Sequence, residues 1–391
     1  MNNISTVTLC ALLLPSSVAP QFACAADINY SADFASRLRH QKNVAISLDN
    51  PIDVDATEVS VNMRLWRKTE VRNSVITLNI KDDHYEDYSE FEQDFRTVSL
   101  EHRFKQELTQ YSIHADINKS TTLGNSFESG EFVRRNVPVL TRSINGSAVR
   151  YFNEAISGSL ESTVSDTRYK QSLDVNNQDY DDKQYVVSGR YQDSEVTDWQ
   201  LSSYVDEMDQ LQSGMQVVTT GFYVLRTYQW DEIWSLSGKY GRRKTHMEGT
   251  NFFGQHFEKN NFGRVASLDI KRKGQLGTLG VSASQDISPR ANGIIDDSKR
   301  LGASWQTKTS ERTNLNLNIS RVNRKPLNTV FIAEDATQND TYSASVGYAW
   351  SEDLSLDVSA RWVTRTFQSA VNNPSADSGT VSAGLRWHLY P

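Results

Sequence analysis

The side chains with chemistry to offer in this 391-residue sequence do not gather into one motif. Arg64, Arg103, Asp116, Glu161, Arg190, Arg226, Lys239, Asp269, Lys271, Asp357, Arg361 and Arg386 are spread along the whole chain. Each falls on the polar row of a segment whose alternate residues are apolar. Charges so placed either pair across neighbouring strands and brace a wall, or face an aqueous lumen and set its preference for ions and solutes. Tyr204 and Tyr228 lie close to the same row and offer ring faces on which the C–H faces of sugars pack. His102 and His114 are spaced to neighbour each other on paired strands, but no Ser/His/acid set, His-x-x-x-His pair or glycine-rich phosphate loop accompanies them. No catalytic residue is assigned on these grounds. The acidic runs from Asp82 to Asp87, Asp179 to Asp182 and Ala333 to Asp335 lack the spacing of a calcium loop and read as solvated loops. No metal and no cofactor is expected.

The elements that must position these charges are strands. Near the end of the chain Tyr342, Ala344, Val346, Tyr348 and Trp350 alternate with Ser343, Ser345, Gly347 and Ala349. Leu354, Leu356, Val358, Ala360 and Trp362 do the same after a Ser351-Glu352-Asp353 turn, and Val381, Ala383, Leu385, Trp387 and Leu389 follow. A period of two with one apolar row marks a strand between two different environments. The pattern starts at Ile28 and recurs through Val59–Leu65, Ile76–Ile80, Val98–Phe104, Ile113–Ile117, Ile156–Val164, Tyr185–Tyr191 and Trp199–Val205. It continues through Tyr223–Leu225, Trp234–Tyr240, Ala266–Ile270, Leu279–Ala283, Leu301–Trp305 and Leu315–Ile319. With a further strand near Pro138–Arg150, the reading is about eighteen strands (16–18), an even number as single-chain bacterial barrels have.

Two architectures fit such strands: a water-soluble sandwich, or a membrane barrel with the apolar row on lipid and the polar row around water. Hydrophobic residues make up 38% of the chain, mean hydropathy is −0.56 and no run of 18 apolar residues follows the N-terminal segment, which excludes helical membrane spans but not strands. Val7–Ala19 followed by Ala23-Cys24-Ala25 reads as a secretory signal peptide over residues 1–25, leaving a barrel over 26–391. Both cysteines, Cys10 and Cys24, fall in that segment, so the processed chain would carry none, as suits passage through an oxidising periplasm. The net charge of −7 with no basic patch argues against nucleic-acid partners.

The connections alternate in kind. Short ones lie around Glu107, Asn153-Glu154, Glu195, Asp231-Glu232, Gly274, Glu311 and Glu352, so the chain repeats hairpins of about forty residues. The others are longer and acidic. Short turns on the periplasmic rim and long loops outside are the build of outer-membrane barrels. Trp66, Trp199, Trp230, Trp234, Trp305, Trp350 and Trp387 lie near short turns or the C-terminus, where an aromatic girdle sits at the membrane interface; Trp362 alone lies elsewhere. The fold expected is an all-β, antiparallel, up-and-down outer-membrane barrel facing lipid and lipopolysaccharide.

Arg312 to Arg321, Thr341 to Leu356 and Gly379 to Trp387, together with Thr121 to Asn125 and Arg134-Arg135, resemble the β-barrel porin family found with exopolysaccharide gene clusters. The resemblance spans most of the chain beyond residue 25. It implies an exit route for a secreted polysaccharide, working beside periplasmic export proteins. The residues themselves leave open a small-solute diffusion porin, and a rim-active enzyme or surface adhesin.

Overall fold

The structure is a computed structural model that describes residues 27–44, 46, 51–122, 136–170, 179–250, 256–275, 277–289, 295–327, 336–368 and 373–389. The signal peptide expected over residues 1–25 and the acidic run Ala333–Asp335 lie outside the described residues. The strands are β1 (Asp27–Lys42), β2 (Val54–Lys68), β3 (Arg72–Tyr85), β4 (Gln93–Lys105), β5 (Thr109–Thr121) and β6 (Pro138–Tyr151). Then come β7 (Ile156–Tyr169), β8 (Tyr180–Ser194), β9 (Thr197–Gln210), β10 (Gln216–Gln229), β11 (Trp234–Thr250) and β12 (His256–Gly274). The last are β13 (Gly277–Pro289), β14 (Ile295–Lys308), β15 (Thr313–Pro326), β16 (Ala336–Ala349), β17 (Leu354–Gln368) and β18 (Ser375–Leu389). Each pairs antiparallel with its sequence neighbours, and β1 pairs with β18, closing an 18-stranded sheet.

Closure follows from the residues. An open sheet of this length would leave two rows of unpaired backbone groups, which hydrocarbon cannot satisfy. One face is apolar on almost every strand: Phe34, Leu65, Ile76, Leu100, Ile113, Leu160, Val187, Leu201, Leu268, Leu301 and Leu385 are all more than a third exposed. The register joins them edge to edge, with Phe34 opposite Val61, Leu65 opposite Ile76 and Ile76 opposite Leu100. Phe34 also faces Trp387 across the closing pair, so one continuous apolar surface surrounds the barrel. A soluble sandwich would bury that row; here it is the outside.

Side-chain oxygens fasten the short turns. Asn153 Oδ1 accepts from the backbone N–H of Ala155 (2.9 Å) and Ile156 (2.7 Å), and Asp231 Oδ1 from Ile233 (2.8 Å) and Trp234 (2.6 Å). The Thr69 and Ser351 hydroxyls do the same for Arg72 and Leu354. Gly277 adopts φ +104° at the tight β12–β13 connection, a conformation that excludes side chains with a Cβ.

Carrying the register once round the sheet returns to β1 displaced by about 22 residues. With ~3.3 Å per residue and ~4.8 Å between strands, that shear gives a tilt of about 40° and a backbone radius of about 18 Å. A barrel this wide is not filled by its own side chains.

Two segments depart from a simple cylinder, both at the long-loop end. β12 pairs with β11 along its whole length, but with β13 only from Gly274 up to Ala266. Above that point the wall overlaps itself. Ile287 and Ile295, on the row that faces outward lower down β13 and β14, pack with Leu327 against the inner-facing Met208, Val217, Met247 and Phe257. The upper ends of β13–β15 therefore lie inside β9–β12. Across the mouth, Val44 of the β1–β2 connection joins Val54, Ala56 and Tyr85, and Ile46 packs on Val363 and Ala376. The mouth is narrowed from two opposite sides by apolar contacts of the kind that drive any core.

Candidate functional site

The functional surface is the inner face. Register places Arg64, Arg103, Asp116, Glu161, Arg190, Lys239, Asp269, Lys271, Asp357, Arg361 and Arg386 on it, opposite in phase to the apolar outer row.

Arg226 is the exception and corrects the sequence expectation. β10 carries apolar residues on both rows, so its period of two is ambiguous. Its neighbour decides: Leu201 lies opposite Val224, which puts Phe222, Val224, Arg226 and Tyr228 outside and Tyr223 and Leu225 inside. The Arg226 guanidinium lies over the rings of Trp199 (4.7 Å) and Tyr228 (5.8 Å), three residues from the short-turn end. It is a snorkelling interface residue, not a pore residue. Tyr228 likewise leaves the lumen, while Tyr223 enters it beside Tyr204 with ring centroids 6.2 Å apart.

Trp66 is the converse correction. It pairs with Asn29 and with the buried Val75 on the inner face, and Arg64 lies 5.6 Å from its ring. Trp199, Trp234, Trp305 and Trp387 do point outward near the short-turn end, and Trp230 and Trp350 sit exposed in the turns themselves. Trp362 is outward too, higher on its strand, its ring lying against Gly379 where a Cβ would clash. His102 and His114 are not neighbours: His102 pairs with Ile113 on the outer face, and His114 with Glu101 on the inner one.

Several inner charges brace the wall. Arg37 donates to Asp357 (2.5 Å) and Glu58 (3.1 Å), and Arg39 reaches Asp83 (3.0 Å) and the Tyr85 hydroxyl (2.9 Å). Lys81 reaches Glu58 (3.1 Å) and Arg386 approaches Asp357 (3.9 Å). This network ties β17 and β18 to β1, β2 and β3, across the closing seam. Arg103 pairs with Glu101 and Arg190 with Asp198 at 2.8 Å. Asp116 accepts from the Ser143 hydroxyl, and Glu161 from Asn145 at 3.0 Å. At the overlap, Arg243 is 3% exposed, lies where a Cβ on Gly263 would go, and meets Asp297 at 3.3 Å and Asp286 at 3.9 Å.

Other inner cations have no carboxylate within ion-pairing distance among the described residues: Arg64, Lys239, Lys271, Arg300 and Lys308. Lys239 rests over the Tyr223 ring at 5.0 Å. Among the described residues no group of three or more His, Cys, Asp and Glu is placed to hold a metal ion. Near the short-turn end the inner faces of β14–β18 and β1 enclose a concavity of about 500 Å³, lined by Lys308, Asn314, Asn316, Ser345, Ser359, Arg37, Asp357, Arg386 and His388 among others.

A continuous lipid-compatible exterior around a polar interior has one setting. This is an integral barrel of the Gram-negative outer membrane. Its fold is that of Pseudomonas aeruginosa OccK2 (OpdF), solved in complex with glucuronate: TM-score 0.51 at 10% identity, covering 93% of this chain and 98% of that one. P. aeruginosa OpdK (TM-score 0.48, 10% identity, 93% and 99% covered) and the FrpB iron transporter of Neisseria meningitidis (0.47, 11%, 91% and 81%) are also similar in shape. No protein-family profile and no curated protein sequence matches the chain. At 18 strands the barrel encloses water, so the coarse function is that of an outer-membrane channel.

Proposed function

We propose that this channel is a passive conduit for export of a secreted polysaccharide across the outer membrane. The observation that carries the reading is the make-up of the inner row. Asn62, Asn79, Ser99, Asn145, Ser282 and Asn316 supply hydroxyl and amide groups along the wall. Trp66, Tyr204 and Tyr223 add ring faces to the same surface. Sugars are recognised by that pairing of exchangeable polar partners with aromatic planes. The resemblance to porins of exopolysaccharide clusters points the same way. Movement is driven by synthesis and by periplasmic export proteins at the short-turn rim.

Deletion of the gene tests the reading. It predicts loss of polymer from the cell surface with uptake of small solutes unchanged. Reduced solute uptake with normal surface polymer would replace export by small-solute diffusion.

A further inference from the structure

The unpaired inner charges are unevenly spread round the wall. On β5–β9, Asp116, Glu161 and the mutually hydrogen-bonded carboxyl pair Asp182–Asp206 face inward with no Lys or Arg in ion-pairing distance among the described residues. On β11–β14, further round the wall, Lys239, Lys271, Arg300 and Lys308 face inward with no carboxylate in ion-pairing distance among the described residues, and Asp269 is the unpaired inward carboxylate among them. Unneutralised cations on a low-dielectric wall attract anions from the enclosed water more strongly than the same charges do on an open surface. The chain as a whole is acidic, at −7, so this local sign is not a by-product of composition.

The concavity at the short-turn end continues this basic wall. Its volume of about 500 Å³ is in the range of small-ligand sites. Arg37, Lys308, Arg312 and Arg386 line it against Glu311 and Asp357, and two of the arginines already share Asp357. Lys308 is left as an unpaired point charge at its edge. The amide of Asn316 is only weakly engaged, 3.4 Å from the Ser345 hydroxyl, and Ser355 is held as loosely by His388. The site thus combines positive charge with hydrogen-bonding groups free to exchange partners. Glu311 and the other rim carboxylates lie in bulk water, where salt screens them within about 8 Å.

We propose that this alcove binds an acidic sugar unit, its carboxylate against Lys308 and its hydroxyls against Asn316 and Ser345 on the next two strands. The inference rests on the export reading and names its cargo class: a polymer bearing carboxylate groups, engaged as it enters from the periplasmic side. No covalent step is involved.

The test is blockade of single-channel current in planar bilayers by the purified full-length protein. A trimer of galacturonate is the acidic probe, and maltotriose the neutral one. The galacturonate trimer is expected to give resolved blockades at concentrations about ten- to a hundredfold below maltotriose, the range of one charge-assisted contact. Lys308→Gln removes no contact that holds the wall, so it should abolish most of that difference while the purified barrel keeps the heat-modifiable gel mobility of the folded protein. Lys299→Gln, on the outer row, should change nothing. Equal blockade by both trimers, or an unchanged difference in Lys308→Gln, overturns the assignment. Acid-selective blockade in a protein whose deletion leaves surface polymer intact would instead remove the export reading and keep the binding site.

Discussion

The facing of β10 gives a sharp test of the barrel, because its two rows are almost equally apolar. Phe222 is 54% exposed and lies four residues above the girdle position Arg226. At ~3.3 Å per residue and a tilt of about 40°, it stands about 10 Å above that interface, close to the middle of a ~25 Å apolar band. Phe222→Arg should therefore destabilise the folded barrel by about 2–4 kcal/mol, the cost of a lipid-facing cation near the midplane. Leu225 faces the lumen opposite Lys239. Leu225→Arg meets a like charge there, but through water, where the repulsion is limited to about 1 kcal/mol. Urea titration of the protein refolded in lipid vesicles, followed by tryptophan emission, reads the two differences directly. An equal cost for both variants, or a larger one for Leu225→Arg, would refute the facing of β10 and with it the placement of Arg226.

Three further outcomes follow from particular contacts. In single-tryptophan variants, brominated lipid should quench Trp199 and Trp387 but spare Trp66, which aqueous iodide should reach instead. Arg243→Gln removes a buried guanidinium from Asp297 and Asp286; because both partners keep some water, the loss is about 1–3 kcal/mol, measured by the same urea titration, and the freed β13–β15 ends should raise mean channel conductance. Gly241→Ala places a Cβ well inside contact distance of the Phe222 carbonyl oxygen, a backbone atom that cannot move aside, so this variant should lose the heat-modifiable mobility of a folded barrel on detergent gels.

Most of the barrel was legible in the chain because its strands see two unlike environments. Where one row is Leu279, Val281 and Ala283 and the other Gly280, Ser282 and Ser284, the period of two leaves no choice of face. β10 failed because Tyr223 and Leu225 compete with Phe222 and Val224, and only its pairing with Leu201 separates them. Trp66 departs for a different reason: its nearness to a turn suggests a girdle position, although Leu65 beside it already assigns Trp66 to the polar side. The overlap at β12–β13 left no local trace. Ile287 and Ile295 alternate like any lipid-facing residues, and it is their distant contact with Met247 that turns them inward. The alcove was equally hidden, since Asn314, Asn316 and Ser345 read singly as ordinary lumen residues and acquire meaning only beside the unpaired Lys308 that the register sets next to them.

Single-channel recording from the purified protein in a planar lipid bilayer tests the central claim most directly. The account predicts discrete, stable conductance steps on insertion, with the current interrupted when oligosaccharide is added. A protein that inserts as a folded barrel yet carries no ionic current would contradict it.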